Sequence, residues 1–221
     1  MPRWEQGSKE RLQQAAIELF EEQGFEATSA VQIAKRAGVT TRTFFRYFSD
    51  KQEVLFADAE TLCEVLAQEI RDAADVTEPL RTVTQTLARF DWEGLAPRES
   101  LRRRDAMIAV NPVLQERHLN KQRQMADAFG SALHELGVDP DIAELATHVG
   151  IHVFRVAYRR WLEADDNADL ATITATVTAQ LDSIVPTNPA APPSAAAASR
   201  RASHQSHARR RTSRQSDVRG D

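Results

Sequence analysis

The stretch Thr28–Lys51, TSAVQIAKRAGVTTRTFFRYFSDK, decides the fold. It divides into two short helical patterns around Gly38. Ser29 is a good N-cap, and Gln32 three residues later completes a capping box. Val31, Ala34 and Ala37 then recur at helical spacing. Gly38 stands where the chain turns sharply, because glycine enters positive φ without a steric penalty. Thr40 caps the second helix. On it Phe44 and Phe48 are four apart and share one face, so they pack inward. Arg42, Thr43 and Arg46 lie opposite, flanked by Phe45 and Tyr47. From Ala27 to Lys51 five basic side chains (Lys35, Arg36, Arg42, Arg46, Lys51) stand against one acid, Asp50. This is the footprint of a helix-turn-helix, whose first helix crosses the DNA backbone while the second enters the major groove.

The longer segment FEATSAVQIAKRAGVTTRTFFRYFSDKQEVL, residues 25–55, resembles the DNA-binding part of TetR-family bacterial regulators. The matching features are a helix ending Gln23-Gly24-Phe25, the Thr28-Ser29 pair, Ile33-Ala34 and the Ala37-Gly38-Val39 turn. The aromatic run Phe44–Phe48 and Lys51 at the next helix complete them. The resemblance implies an all-α homodimer with an N-terminal DNA-binding head and a variable C-terminal ligand domain. Thr40 to Tyr47 would then enter the groove. Arg42 and Arg46 suit guanine, with polar or methyl contacts from Thr41, Thr43 and Phe45. Thr28, Ser29, Tyr47 and Lys51 would anchor phosphates. Phe45 departs from the family, which often has a tyrosine there, so only an apolar contact is expected from it.

The 221 residues can bury a sizeable core, and their composition favours helix. The net charge of −4 hides an asymmetry. Residues 1–185 hold 21 basic and 30 acidic side chains, and residues 186–221 hold 7 and 2. An acidic body with a local basic patch still fits a DNA binder, because affinity follows charge near the phosphates. Cys63 is the only cysteine, so no internal disulfide forms, which points to a reducing compartment. With a polar N-terminus and no apolar run near the ~20 residues of a membrane span, a cytoplasmic protein is expected.

Helical periodicity divides the rest. Ser8 is read as the cap of a first helix ending at Gly24. Asp50, with Glu53 three residues on, starts a long helix to about Ala74 that joins the head to the body. Further helices are expected from Leu80 to Phe90, closed by a break at Gly94–Pro97, then from Pro97 to Asn111. Asn111-Pro112 and Asp139-Pro140 open two more, and the last runs from about Asp169 to Val185. The total is about nine. The expected organisation is a head over 1–50, a ligand and dimerisation bundle over 51–185, and a disordered basic tail over 186–221 that is either a non-specific DNA contact or a solvated tail.

Several features carry chemistry or merely structure. His148 and His152 have metal-compatible spacing but lack the glutamate of an HExxH motif, so pocket-lining or core roles are expected and no metal site is. Arg102-Arg103-Arg104 is an anion site or a solvated face. Successive helical residues point different ways, so at least one faces inward. RRRDAMIAVNPVLQERHLNKQ and VFRVAYRRW resemble a branch of the family associated with acyl-CoA-like ligands, implying an apolar pocket with a basic mouth. Candidate lining residues are Leu66, Phe90, Arg104, Met107 and Met125, with Phe129, Phe154 and Trp161, or these are core. The apolar stripes of the last two helices, with Val149, Val153 and Val156 on one and Ile173, Val177 and Leu181 on the other, suit a dimer interface, or they are internal packing. No phosphate loop, nucleophile elbow or metal cluster points to an enzyme, and no cofactor is expected. Expected partners are double-stranded DNA, a second copy of the chain and a small-molecule effector.

Overall fold

The computed structural model describes residues 7–184, so the basic tail expected over 186–221 lies outside the described residues. Among those described are ten α-helices and no strand. They are α1 (Ser8–Gln23), α2 (Ala30–Arg36), α3 (Thr41–Tyr47), α4 (Ala59–Arg71), α5 (Pro79–Arg89), α6 (Trp92–Leu95), α7 (Arg98–Val110), α8 (Pro112–Glu135), α9 (Pro140–Glu163) and α10 (Leu170–Ile184). The all-α class is as the sequence implies. The helix beyond nine is α6, a single turn that begins before the expected break at Gly94–Pro97 and runs into it, where Asp91 accepts from the Gly94 N–H at 2.9 Å.

Residues 7–180 lie in one compact unit, and the last described residues, 181–184, fall in a second. Within the first, α1–α3 make a head around Phe44 and Phe48, which are 0% and 2% exposed. Their rings lie 5.5 Å apart, and each buried ring contributes about 1.5–3 kcal/mol. Leu12, Leu19, Phe20 and Ile33 close around them. Ser8 does not cap α1. It lies within the first turn, behind Gly7 at φ 89°, and its Oγ accepts from Arg11.

The long connecting helix expected from Asp50 is interrupted. Asp50 Oδ1 does accept from the Gln52 and Glu53 N–H groups, at 2.8 and 2.9 Å. The chain then enters a 3-10 turn, Glu53–Phe56, and α4 begins only at Ala59. Val54, Leu55 and Phe56 are all buried at this turn.

In the body, α8 and α9 pack together, with α4 against α8 and α5 against α9. Their starts follow the sequence. Asn111 Oδ1 accepts from the N–H groups of Val113 and Leu114, and Asp139 Oδ1 from those of Asp141 and Ile142. Proline occupies the first helical position in both, where its missing N–H is no loss. Gly150 lets α5 approach α9. A methyl there would stand 2.7 Å from Val83 Cγ1.

Candidate nucleic-acid interface and ligand cavity

The helix-turn-helix is fixed by local hydrogen bonds. The Ser29 N–H donates to Gln32 Oε1 at 2.8 Å, and the Gln32 N–H returns a bond to Ser29 Oγ at 3.3 Å. Gly38, at φ 69°, turns the chain, and the Val39 N–H closes the turn on Ala34 O at 2.9 Å. Thr40 Oγ1 accepts from the Thr43 N–H at 3.1 Å, starting α3. With Phe44 and Phe48 inside, α3 presents Arg42, Phe45 and Arg46 outward, and Phe45 is 55% exposed. Thr40 is exposed, whereas Thr41, Thr43 and Tyr47 are half-buried along the edges of this face. Arg46 donates to Tyr47 Oη at 3.1 Å with its guanidinium over the tyrosine ring. Arg42 has no hydrogen bond or ion pair among the described residues.

The four residues expected to anchor phosphates separate into two pairs. Ser29 and Tyr47 reach the surface. Thr28 is 2% exposed, with its hydroxyl set against Gly24 O at 2.8 Å and Leu19 O at 3.2 Å. Lys51 Nζ donates to Phe25 O, Glu26 O and Thr28 O at 2.7, 3.3 and 3.0 Å, 4.3 Å from the centre of the Phe25 ring. Both hold the loop between α1 and α2, and with it the start of α2. Arg36 faces Glu22 at 2.7 Å and Glu18 at 3.4 Å, bracing α2 against α1.

A family model described as bacterial regulatory proteins, tetR family, matches residues 12–57. The head is similar to the DNA-binding domain of TetR-family regulators. Over 80 residues the chain is 34% identical to the HTH-type transcriptional regulator HbdR of Aromatoleum sp. (strain CIB), covering 36% of this chain and 35% of that protein. It therefore spans about a third of that relative's length. It is 28% identical over 193 residues to the HTH-type transcriptional regulator TcmR of Streptomyces glaucescens, covering 81% of this chain and 83% of that one. Among solved structures, it is similar to FadR of Thermus thermophilus, a TetR-family repressor in complex with lauroyl-CoA. That match has 25% identity and a TM-score of 0.51, covering 83% of this chain and 98% of the other.

Behind the TetR-type head lies a cavity of about 390 Å³. Arg104, Met125 and Phe154 line it, as the sequence suggests. The other expected lining residues do not. Leu66 and Phe129 are fully buried core, and Met107 packs against the head core. Phe90 lies one ring out, 5.2 Å from Trp92. Trp161 sits beneath Arg98 and donates its indole N–H to Ala168 O. His148 and His152 are exposed on α9. Among the described residues no cluster of three metal-ligating side chains occurs.

Periodicity alone does not reveal Trp92, His118 and Tyr158 in the cavity wall. Part of the signal is present, since Phe154, Tyr158 and Trp161 recur at helical spacing. Trp92 stacks on Phe154 at 5.4 Å and meets Tyr158 edge-on at 5.3 Å. Burial, with Arg104 and Arg155 adding repulsion, pulls the His118 imidazole down to about 4, so it is neutral at pH 7. Burial pushes the Tyr158 phenol up to about 12. Burial also raises the Asp105 carboxyl and lowers the Arg104 guanidinium, though arginine stays charged.

On α9, Val149 and Val156 are half-buried and Val153 is buried; on α10, Ile173 and Leu181 are half-buried and Val177 is buried. One row of α9 continues outward through Ile142 and Leu145, 54% and 66% exposed, beyond the valines expected from the sequence.

Proposed function

We propose that this chain is a ligand-responsive transcriptional repressor that acts as a homodimer in the cytoplasm and is not an enzyme. It reads a palindromic double-stranded operator with α3 of each subunit. The observation that supports this is the outer face of α3, where Arg42, Phe45 and Arg46 stand clear of a closed head core. Arg42 and Arg46 are the base-reading candidates, since arginine pairs bidentately with guanine. Thr40, Thr41, Thr43 and Phe45 complete the groove face. Ser29 and Tyr47 hold phosphates, while Thr28 and Lys51 position the loop that presents them. Residues 1–50 form the DNA-binding head, 51–185 the ligand and dimerisation part, and 186–221 a basic tail. The exposed Ile142 and Leu145 and the half-buried Val149 and Val156 on α9, with the half-buried Ile173 and Leu181 on α10, pack on the partner's copy, while Val153 and Val177, expected there too, are buried within their own chain. A dimer presents two heads to half-sites about 34–36 Å apart.

The effector enters the cavity behind the head. FadR takes lauroyl-CoA, so acyl-CoA-like molecules are one class to consider here. The cavity reaches the head directly, because Arg104 donates Nε to Leu55 O at 2.6 Å and Val54, Leu55 and Phe56 belong to both the cavity wall and the head core. A ligand that binds the DNA-incompetent arrangement more tightly releases the operator. Incubating the full chain with fragments of a bacterial genome and sequencing those retained tests the reading. An inverted repeat shared by the retained fragments is expected. Retention that ignores sequence, or that survives loss of both Arg42 and Arg46, overturns it.

A further inference from the structure

We propose that the cavity takes a flat aromatic anion, its ring system against Trp92, Phe154 and Tyr158 and its negative group between Arg104 and Arg155. This rests on the ligand-responsive reading and narrows it.

Among the described residues three buried guanidine nitrogens lack a hydrogen-bond acceptor, the Nε atoms of Arg98, Arg103 and Arg155. Two have a carboxylate close by. Glu93 lies 3.4 Å from Arg98 Nε, and Glu99 lies 4.0 Å from Arg103 Nε. Arg155 has no carboxylate within ion-pair distance among the described residues, and it lines the cavity. Arg104 uses Nε on Leu55 O, and its terminal nitrogens have no acceptor there either. A buried donor without an acceptor is costly, and a carboxylate or phenolate supplies acceptors for both guanidinium groups. Asp105, on the same wall, offsets one of the two positive charges. His118 is neutral and its Nε2 is engaged with Gln122 at 3.0 Å.

The apolar wall combines aliphatic side chains, Leu62, Leu87, Leu101, Met125 and Ile151 among them, with two banks of rings. Trp92, Phe154 and Tyr158 form one bank, their centroids 5.3–5.7 Å apart. Phe56 forms another, with the Arg104 guanidinium 5.2 Å from its centre and the His118 ring at 6.3 Å. Flat, polarisable surfaces favour a flat partner through stacked and edge-on contacts. The exposed lining does not suit a nucleotide. Glu10 and Asp58 lie there. The cations near them are engaged, Lys9 by Asp58 at 2.6 Å and Lys121 by Glu53 and Glu60 at 3.4 and 3.2 Å. A coenzyme A phosphate would meet carboxylates, while the charge that could hold an anion lies on Arg104 and Arg155.

The test uses the full chain and titration calorimetry with four probes: 2-naphthoate, its neutral carboxamide, dodecanoate and lauroyl-CoA. The naphthoate is expected to bind about 10–100-fold more tightly than the carboxamide and more tightly than either aliphatic probe. Arg155→Met should bring the naphthoate down to the carboxamide's affinity while leaving the carboxamide unchanged, a readout that general misfolding would not give. Equal affinity for carboxylate and carboxamide, tighter binding of an aliphatic probe, no binding of any probe, or an unaffected Arg155→Met overturns the proposal. Retention of a DNA fragment selected by the protein separates this from the broader reading. Naphthoate that binds without altering retention leaves the ligand class standing and removes the ligand-responsive role. Lauroyl-CoA that alone binds and alters retention does the reverse.

Discussion

Arg117 on α8 donates to Asp50 Oδ2 at 2.7 Å, joining the body to the residue that ends the head. The same guanidinium bonds Glu53 and reaches Gln52 Oε1 at 3.1 Å. The next residue, His118, lines the cavity. One turn of α8 thus touches both the cavity and the joint, and under the proposed ligand response it is the natural transmitter. Arg117→Ala should cost only about 1 kcal/mol of stability, since Asp50 is partly solvated. The effector should still bind, yet its effect on DNA affinity should shrink severalfold. Parallel calorimetry and gel-shift titrations check this; an unchanged ratio of DNA affinities with and without effector would place the signal elsewhere.

Arg42→Ala should weaken operator binding by about 1–3 kcal/mol while hardly touching affinity for random DNA. Thermal unfolding should not move, because Arg42 is exposed and makes no hydrogen bond or ion pair among the described residues. Equal losses on both DNAs would assign the residue to phosphate instead.

Gly150→Ala tests the α5–α9 contact. Alanine gains up to about 1 kcal/mol of helix propensity over glycine. Its methyl, however, would stand 2.7 and 3.1 Å from Val83 Cγ1 and Cβ, and valine is stiff at χ1. Overpacking should win, for a net loss of about 1–3 kcal/mol by chemical denaturation. Val83→Ala in the same chain should recover part of it. A stabilised single variant would show that α5 slides away freely.

Protonation of His118 should drive acid unfolding. Its folded value of about 4 lies below the unfolded 6.5. The unfolded chain therefore takes up the proton first as pH falls. The stabilisation is complete above pH 6.5 and is lost as pH drops toward 4, by on the order of 3 kcal/mol at most. His118→Gln should flatten the stability curve over that interval and leave the alkaline side alone. An identical acid limb in the variant would trace the loss to other groups.

How much the sequence reveals depends on the range of the forces. The Ser29–Gln32 box, the Thr40 cap, the inward Phe44 and Phe48 and the Asn111 and Asp139 caps are set within four residues, and sequence spacing reveals them. The three successive arginines show the limit. Periodicity says that they diverge, and they do: Arg102 to Leu162 O, Arg103 to Glu21 and Arg104 to Leu55 O. Which partner each finds is decided 49 to 82 residues away in the chain. Lys51 is a second case. Nothing local shows that its ammonium closes on three carbonyls more than twenty residues upstream. His118 and Trp92 line the cavity only because distant helices meet there.

Ile108 and Leu114, from the corner between α7 and α8, belong to the same buried cluster as Phe44 and Phe48. A head excised after residue 50 would leave that cluster open to water. Grafting it onto a foreign effector module would therefore succeed only if the α7–α8 corner travels with it. Such chimeras should be sorted by whether this seam is preserved, and not by where the DNA-contacting helix ends.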